Sequence, residues 1–133
     1  MPIVALDHVG IAVADPDVHP LALALGGADA ALTEMRSGVA VGRFGPDLQL
    51  ELVTPARPGN PVERFLERRG PGLHHLALQV DEALESVLER LRGEGIEPVG
   101  EIELSSDGRP SVFLHPSTTG GVLVELVEGP RRP

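Results

Sequence analysis

Apolar and polar residues alternate along two similar stretches of the chain, and each stretch predicts a strand. The first is LDHVGIAV at residues 6–13, and the second is LHHLALQV at residues 73–80. A period of two is typical of a strand that buries one face. When the stretches are aligned, His8 falls on His75. A repeated strand with a histidine at the same position indicates a duplicated module.

The same pattern predicts how each module continues. In the first module we expect strands over residues 3–13, 29–36, 38–45 and 48–53. In the second we expect them over residues 73–80, 96–104, 109–114 and 122–127. The final strands resemble each other as well, with LELV at 50–53 and VELV at 124–127.

A helix is expected after the first strand of each module. In the first module it begins at Asp15-Pro16-Asp17 and is weak, because Pro20 falls inside it and Gly26-Gly27 ends it. In the second module, residues 81–92 carry apolar residues at helical spacing: Leu84, Val87, Leu88 and Leu91. A further short helix is predicted over residues 61–69.

Each half therefore has the order βαβββ, which predicts an α+β fold. We expect a single domain over residues 1–133, with two tandem βαβββ modules that form a curved mixed sheet around a metal site. Module 1 covers about 3–54, a connector with a short helix about 55–71, and module 2 about 72–128.

Strand parity places two histidines and two glutamates away from the apolar side of their strands. Buried carboxylates are costly unless they are paired or bind a cation. Two neutral imidazoles and two carboxylates balance a divalent ion and leave coordination positions open. For any one of these residues an ordinary strand position is the simpler interpretation, but matching positions in a repeat favour a metal site. The candidate ligands are His8, Glu51, His75 and Glu125.

The remaining histidines have other interpretations. His74 has the helix-facing parity, which indicates a structural role, and His19 falls in the weak helix, where we expect it in solvent. His115 precedes Pro116 in a loop, and its residue pattern leaves both a structural and a functional role open.

Composition limits the possible partners. The net charge is −9 and all 11 basic residues are arginine, which is unfavourable for binding nucleic acid. One arginine cluster, Arg64, Arg68 and Arg69, is either a solvated helix face or a patch for an anionic part of a substrate. We expect no signal peptide and no membrane span, and therefore a soluble cytoplasmic protein.

Several segments together resemble a known family. They are LDHVGIAV at 6–13, ELVTP at 51–55, NPVERFLERRG at 60–70, GLHH at 72–75, FLHP at 113–116 and GGVLVEL at 120–126. In these segments the chain resembles the vicinal oxygen chelate superfamily (glyoxalase, bleomycin resistance protein and dioxygenase), and within it the methylmalonyl-CoA epimerases.

The resemblance implies a metal-dependent isomerase. His8, Glu51, His75 and Glu125 would bind a divalent ion such as Co, Mn, Ni, Zn or Fe. The ion would hold the carboxylate and thioester oxygens of methylmalonyl-CoA, or of a similar acyl-CoA, and stabilise an enolate. Glu125 would then be both ligand and base. A homodimer is implied too.

Two positions depart from the family pattern. Some epimerases have a second acid–base glutamate where this chain has Val41, and a lysine is common where it has Ser117. The three-arginine cluster is the substitute we expect for contact with the CoA phosphates.

Other functions stay open at this point. A glyoxalase I-type isomerase or lyase would use the same ligands on a glutathione thiohemiacetal. An extradiol-type dioxygenase is less favoured, because it needs two histidines but only one glutamate. A non-catalytic small-molecule-binding protein of the same fold is the alternative from a different functional class.

Overall fold

The computed structural model describes residues 3–15, Pro20, Ala24 and 32–131. Most of the helix predicted after the first strand lies outside the described residues, and so does His19. The chain divides into two units: residues 8–74, called the first unit, and residues up to Asp7 together with those from His75 onward, called the second unit. The division cuts the first strand of each predicted module.

The first unit contains a strand meander and one described helix. Its elements are β1 (Ile3–Ala12, from His8 onward in this unit), β2 (Thr33–Glu34), β3 (Val39–Phe44), β4 (Leu50–Pro55) and α1 (Pro61–Arg69). The strand order is β2-β3-β4-β1. β4 runs parallel to β1 and antiparallel to β3, and β3 runs antiparallel to β2.

Helix α1 begins and ends where its sequence predicts. The Asn60 side chain accepts a hydrogen bond from the backbone N–H of Glu63, and proline occupies the first helical position. Gly70 ends the helix. The buried Val62 packs in an apolar cluster with Ala12, Val41 and Val53, which lie on the same face of the sheet.

The second unit has the same strand order, and its helix follows its first strand. Its elements are β5 (Gly72–Val80, from His75 onward in this unit), α2 (Leu84–Gly93), β6 (Pro98–Leu104), β7 (Pro110–Leu114) and β8 (Val124–Glu128). The strand order is β5-β8-β7-β6. β5 runs parallel to β8, and the other neighbours are antiparallel.

Helix α2 covers the face of this sheet that the alternation predicts. Its buried residues Leu84, Val87 and Leu88 pack against Val80 and Leu126. His75 and Glu125 have the opposite parity and lie on the other face of their strands. Among the described residues, no helix is long and apolar enough to cross a membrane.

The predicted α+β fold class is confirmed, with small shifts at strand boundaries. The strand expected over 48–53 begins at Leu50, because Pro46–Leu48 forms a turn of 3₁₀ helix. In this turn Asp47 and Leu48 have positive φ angles of 54° and 55°, which no apolar–polar pattern reveals. The strand expected over 29–36 is seen only at Thr33–Glu34 within the described residues.

A buried ion pair anchors the second unit. Arg109 is 1% exposed and Asp7 is fully buried, and their Nη1 and Oδ1 atoms lie 2.8 Å apart. Gln79 donates a second hydrogen bond to the same Asp7 oxygen at 2.9 Å. Burial alone would lower the pKa of Arg109, but its hydrogen bonds to Asp7 and Asp107 raise that pKa above the ordinary value. Arg109 is therefore charged in the folded protein.

Replacing Arg109 by methionine tests this anchor. The R109M change keeps the apolar part of the side chain but leaves Asp7 as a buried carboxylate without its cation. We expect the free energy of unfolding to fall by about 3–5 kcal/mol, the usual loss when one partner of a buried pair is removed. Urea denaturation at pH 7 measures it.

Arg90→Met is the control for this experiment. Arg90 pairs with Glu82 at the surface, where both side chains are largely exposed. Its loss should be at most about 1 kcal/mol. Equal decreases in the free energy of unfolding for the two variants would show that the Asp7–Arg109 pair stabilises the fold no more than a surface pair does.

Candidate active site

The first unit contains one histidine–glutamate pair. In the parallel register of β1 and β4, Gly10 lies opposite Glu51. His8 is two residues before Gly10, so its side chain is on the same face as that of Glu51. His8 Nε2 and Glu51 Oε1 are 3.4 Å apart, and the two residues are only 1% and 6% exposed. The register therefore places an imidazole against a buried carboxylate.

The second unit repeats this geometry. In the parallel register of β5 and β8, Ala77 lies opposite Glu125, and His75 is two residues before Ala77. His75 Nε2 and Glu125 Oε1 are again 3.4 Å apart, and the residues are 5% and 7% exposed. The match in register, distance and burial indicates that both pairs descend from one duplicated strand pair.

The strand on the other side of each glutamate adds a residue that the sequence pattern alone does not reveal. Arg43 on β3 lies directly opposite Glu51, and Phe113 on β7 lies directly opposite Glu125. Residues that face each other across antiparallel strands are close neighbours on one face of a sheet. Each of these residues lies on the strand that precedes the glutamate in sequence. Identifying which residue of that strand faces the glutamate requires the strand register.

These two residues differ sharply in chemistry. Arg43 Nε donates to Glu51 Oε2 at 3.3 Å, and Arg43 Nη2 lies 3.0 Å from His8 Nδ1. Phe113 instead meets the ring of His75 edge-on, with ring centroids 5.4 Å apart. The first pair thus lies beside a cation, and the second beside an apolar ring.

Two other histidines have structural contacts. The ring of His74 meets Phe65 of α1 edge-on at 5.0 Å, in keeping with its predicted structural role. His115 is exposed and precedes a 3₁₀ turn at Pro116–Thr118. Its Nδ1 accepts a hydrogen bond from the backbone N–H of Ser117 and lies 2.8 Å from the Ser117 hydroxyl. That contact caps the turn, which gives His115 a structural role.

The arginine cluster lies on the outer surface of α1. Arg64, Arg68 and Arg69 are all exposed. Arg64 donates to the carbonyl oxygen of Gly59, and the Arg69 guanidinium lies 5.7 Å from the centre of the Phe65 ring. This surface is solvated, and its charge is available to an anion.

The donor chemistry of both pairs fits a divalent metal. A neutral imidazole nitrogen and a carboxylate oxygen are ordinary ligands of Zn²⁺ and of other first-row ions. In each pair these atoms face one another, and both side chains are buried. A bound cation would compensate for the cost of burying the carboxylates.

The family model of the glyoxalase/bleomycin resistance protein/dioxygenase superfamily matches residues 7–113. The match covers most of the chain, including His8, Glu51 and His75. The chain belongs to this superfamily. The resemblance inferred from the sequence is thereby confirmed.

Within the glyoxalase/bleomycin resistance protein/dioxygenase superfamily, the chain is similar to methylmalonyl-CoA epimerases. The epimerase structure from Mycobacterium tuberculosis is 31% identical, with a TM-score of 0.76, and the alignment covers 97% of this chain and 90% of that one. The Streptomyces coelicolor epimerase bound to 2-nitronate-propionyl-CoA is 28% identical, with a TM-score of 0.81 over 96% and 98% of the two chains. These likenesses confirm the glyoxalase-like fold.

A curated relative matches over a shorter stretch. The ethylmalonyl-CoA/methylmalonyl-CoA epimerase of Cereibacter sphaeroides is 36% identical over 84 residues. That alignment covers 61% of this chain and 62% of the relative's length. The chain thus spans less than two thirds of that relative.

Proposed function

We propose that the protein is an epimerase that inverts C2 of methylmalonyl-CoA or of a similar branched acyl-CoA. The observation that carries the proposal is the similarity to the M. tuberculosis epimerase over 97% of this chain. The paired histidine and glutamate in each unit support it, because imidazole and carboxylate groups can bind a metal and accept a proton. An acyl-CoA is also the bound ligand of the S. coelicolor epimerase, which has the same fold.

The proposal includes a divalent metal held by His8, Glu51, His75 and Glu125. Support comes from the donor chemistry and from the burial of all four side chains. When bound, such an ion stabilises negative charge on a carbonyl oxygen as a Lewis acid. The same donor set accepts Co, Mn, Ni, Zn and Fe, so the residues leave the choice among these ions open.

Glu125 is the proposed catalytic base. Epimerisation breaks the bond between C2 and its hydrogen, and the electron pair moves toward the thioester oxygen. A carboxylate can accept that proton, and its burial at 7% exposure keeps bulk water away from the transfer. His75, 3.4 Å away, positions the carboxylate. A proton returned to the opposite face of C2 completes the inversion.

The second proton donor is not at position 41. Val41 is 8% exposed and packs with Ala12, Val53 and Val62 in an apolar cluster. A core valine has no proton to give, so this chain departs from epimerases that have a glutamate there. This departure affects the step that returns a proton to C2. Glu125 remains the proposed base for the step that removes the proton.

Three further predictions stay predictions. They are a homodimer, a cytoplasmic location, and contact between the α1 arginine cluster and the phosphates of CoA. The exposure of Arg64, Arg68 and Arg69 supports the last of these.

The epimerase proposal predicts hydrogen exchange at C2 of methylmalonyl-CoA. In D₂O with added Co²⁺ or Mn²⁺, the protein should wash deuterium into C2, which mass spectrometry follows. The E125Q variant should be slower by about 10²–10⁴-fold, the range that a positioned acid–base group contributes. Glu89→Gln, on the exposed face of α2, is the control and should keep the wild-type rate.

Absence of deuterium incorporation at C2 with either ion would contradict this proposal. The same preparation should leave methylglyoxal plus glutathione unchanged, because that turnover is the mark of a glyoxalase I-type isomerase. Turnover of methylglyoxal plus glutathione without deuterium incorporation into methylmalonyl-CoA would identify the glyoxalase alternative.

The metal proposal predicts about one equivalent of divalent ion per chain after reconstitution. The H75A variant should bind at least about tenfold more weakly, since loss even of a ligand's supporting partner costs about 10–100-fold in affinity. His115→Ala is the matched control, because His115 is exposed and only caps a turn. Elemental analysis after dialysis measures the content. Less than about half an equivalent in the wild type would favour a non-catalytic binding protein.

A further inference from the structure

The two units place different side chains at one equivalent position. Arg43 stands opposite Glu51, and Phe113 stands opposite Glu125, in the same antiparallel register. The histidine–glutamate distance is 3.4 Å in both pairs. At this position the pairs therefore differ in chemistry, with a guanidinium beside one and an apolar ring beside the other.

Arg43 engages the nitrogen of His8 that does not face Glu51. Its Nη2 lies 3.0 Å from His8 Nδ1, and arginine has donors but no acceptor. Nδ1 is therefore the acceptor, and in a neutral imidazole the proton then sits on Nε2. A metal needs a nitrogen lone pair. With Arg43 in place, neither nitrogen of His8 offers one.

Arg43 also engages the carboxylate of Glu51. Its Nε donates to Oε2 at 3.3 Å, while Oε1 of the same carboxylate faces His8. The Arg43 side chain is only 12% exposed, so solvent screens its charge poorly. A divalent ion that bound Glu51 would meet a fixed positive charge on the same carboxylate.

We propose that Arg43 is a built-in competitor of the metal. It compensates for the charge of Glu51 in the metal-free protein, and metal binding requires its guanidinium to leave both His8 and Glu51. This inference rests on the proposed metal site and goes beyond it, because it assigns a role in metal affinity to a residue that is not a ligand. At the equivalent position of the second pair, Phe113 carries no charge and cannot compete in this way.

The inference predicts that removing Arg43 tightens metal binding. R43M should lower the Kd for Co²⁺ by about 10–100-fold, the range over which a neighbour of a ligand changes metal affinity. Titration calorimetry of the metal-free protein measures the Kd, and circular dichroism checks that the variant is folded. Arg57→Met is the matched control, because Arg57 is in the same unit but pairs with Glu34 at the surface.

A conservative variant separates charge from packing. R43K keeps a cation at this position but loses the fork that reaches His8 and Glu51 together. It should bind Co²⁺ with an affinity between those of the wild type and R43M. Equal tightening in R43K and R43M would show that a positive charge at this position does not compete with the ion, and would overturn the proposal.

The wild-type protein gives a second, independent measurement. NMR of the arginine Nε–Hε groups, assigned through the backbone, reports whether the Arg43 proton is held in a hydrogen bond. One equivalent of Zn²⁺ should shift this resonance and speed its exchange with water. Arg109 is the internal control, because its Nε donates to Asp107 in the second unit and its resonance should not move.

The outcomes distinguish this inference from the metal site on which it rests. Binding by R43M with none by the wild type supports the inference in its strongest form. Equal Kd values for the two, or a Zn²⁺ complex with an unchanged Arg43 resonance, overturn the inference and leave the metal site standing. No binding by either folded protein overturns both.

Discussion

The candidate site depends on one feature of strand pairing. In each unit the residue two positions after a histidine lies opposite a glutamate on a parallel neighbour. Because side chains alternate along a strand, this register places the imidazole and the carboxylate on one face. A shift of a single residue would send one member of the pair to the opposite face. Leu52 and Leu126 each follow a glutamate and are buried on the opposite face of the strand, so they oppose a shift that would move them out of the core.

Burial of charge is the second constraint, and the two units meet it in different ways. Glu51 lies beside His8 and the guanidinium of Arg43. Glu125 lies beside His75, and Phe113 faces it from the neighbouring strand. In the second unit a separate buried pair, Asp7 and Arg109, supports the fold. The first unit thus places an arginine at its histidine–glutamate pair, and the second unit uses its buried arginine elsewhere.

Much of this could be predicted from the sequence, because alternation and repetition are local signals. The repeat of His8 and His75 indicated two modules, and parity placed each histidine on the same face as its glutamate. Arg43 could not be found in this way, since its importance comes from the register between β3 and β4. The same holds for α1, whose contact with Ala12 and Val53 depends on the path of the connector.

Local backbone geometry was hidden for another reason. Asp47 and Leu48 adopt positive φ angles, which are uncommon outside glycine and more so for leucine than for aspartate, and the apolar–polar pattern carries no signal of them. They shorten the start of β4 and bring Leu50 opposite Phe44. From there the antiparallel register brings Arg43 opposite Glu51. The conformation of this turn therefore sets a contact that the sequence pattern does not reveal.

Duplication explains why a single side chain can separate the two pairs. The backbone register fixes the distance between histidine and glutamate in both units, so divergence can act on the neighbouring position without disturbing the pair. An arginine at that position provides hydrogen-bond donors to both the histidine and the glutamate of the first pair. A phenylalanine side chain at the equivalent position has no hydrogen-bond donor. Two pairs of equal geometry thus acquire unequal electrostatics. Differences in function on one fold can arise in this way, from different side chains placed on the same backbone frame.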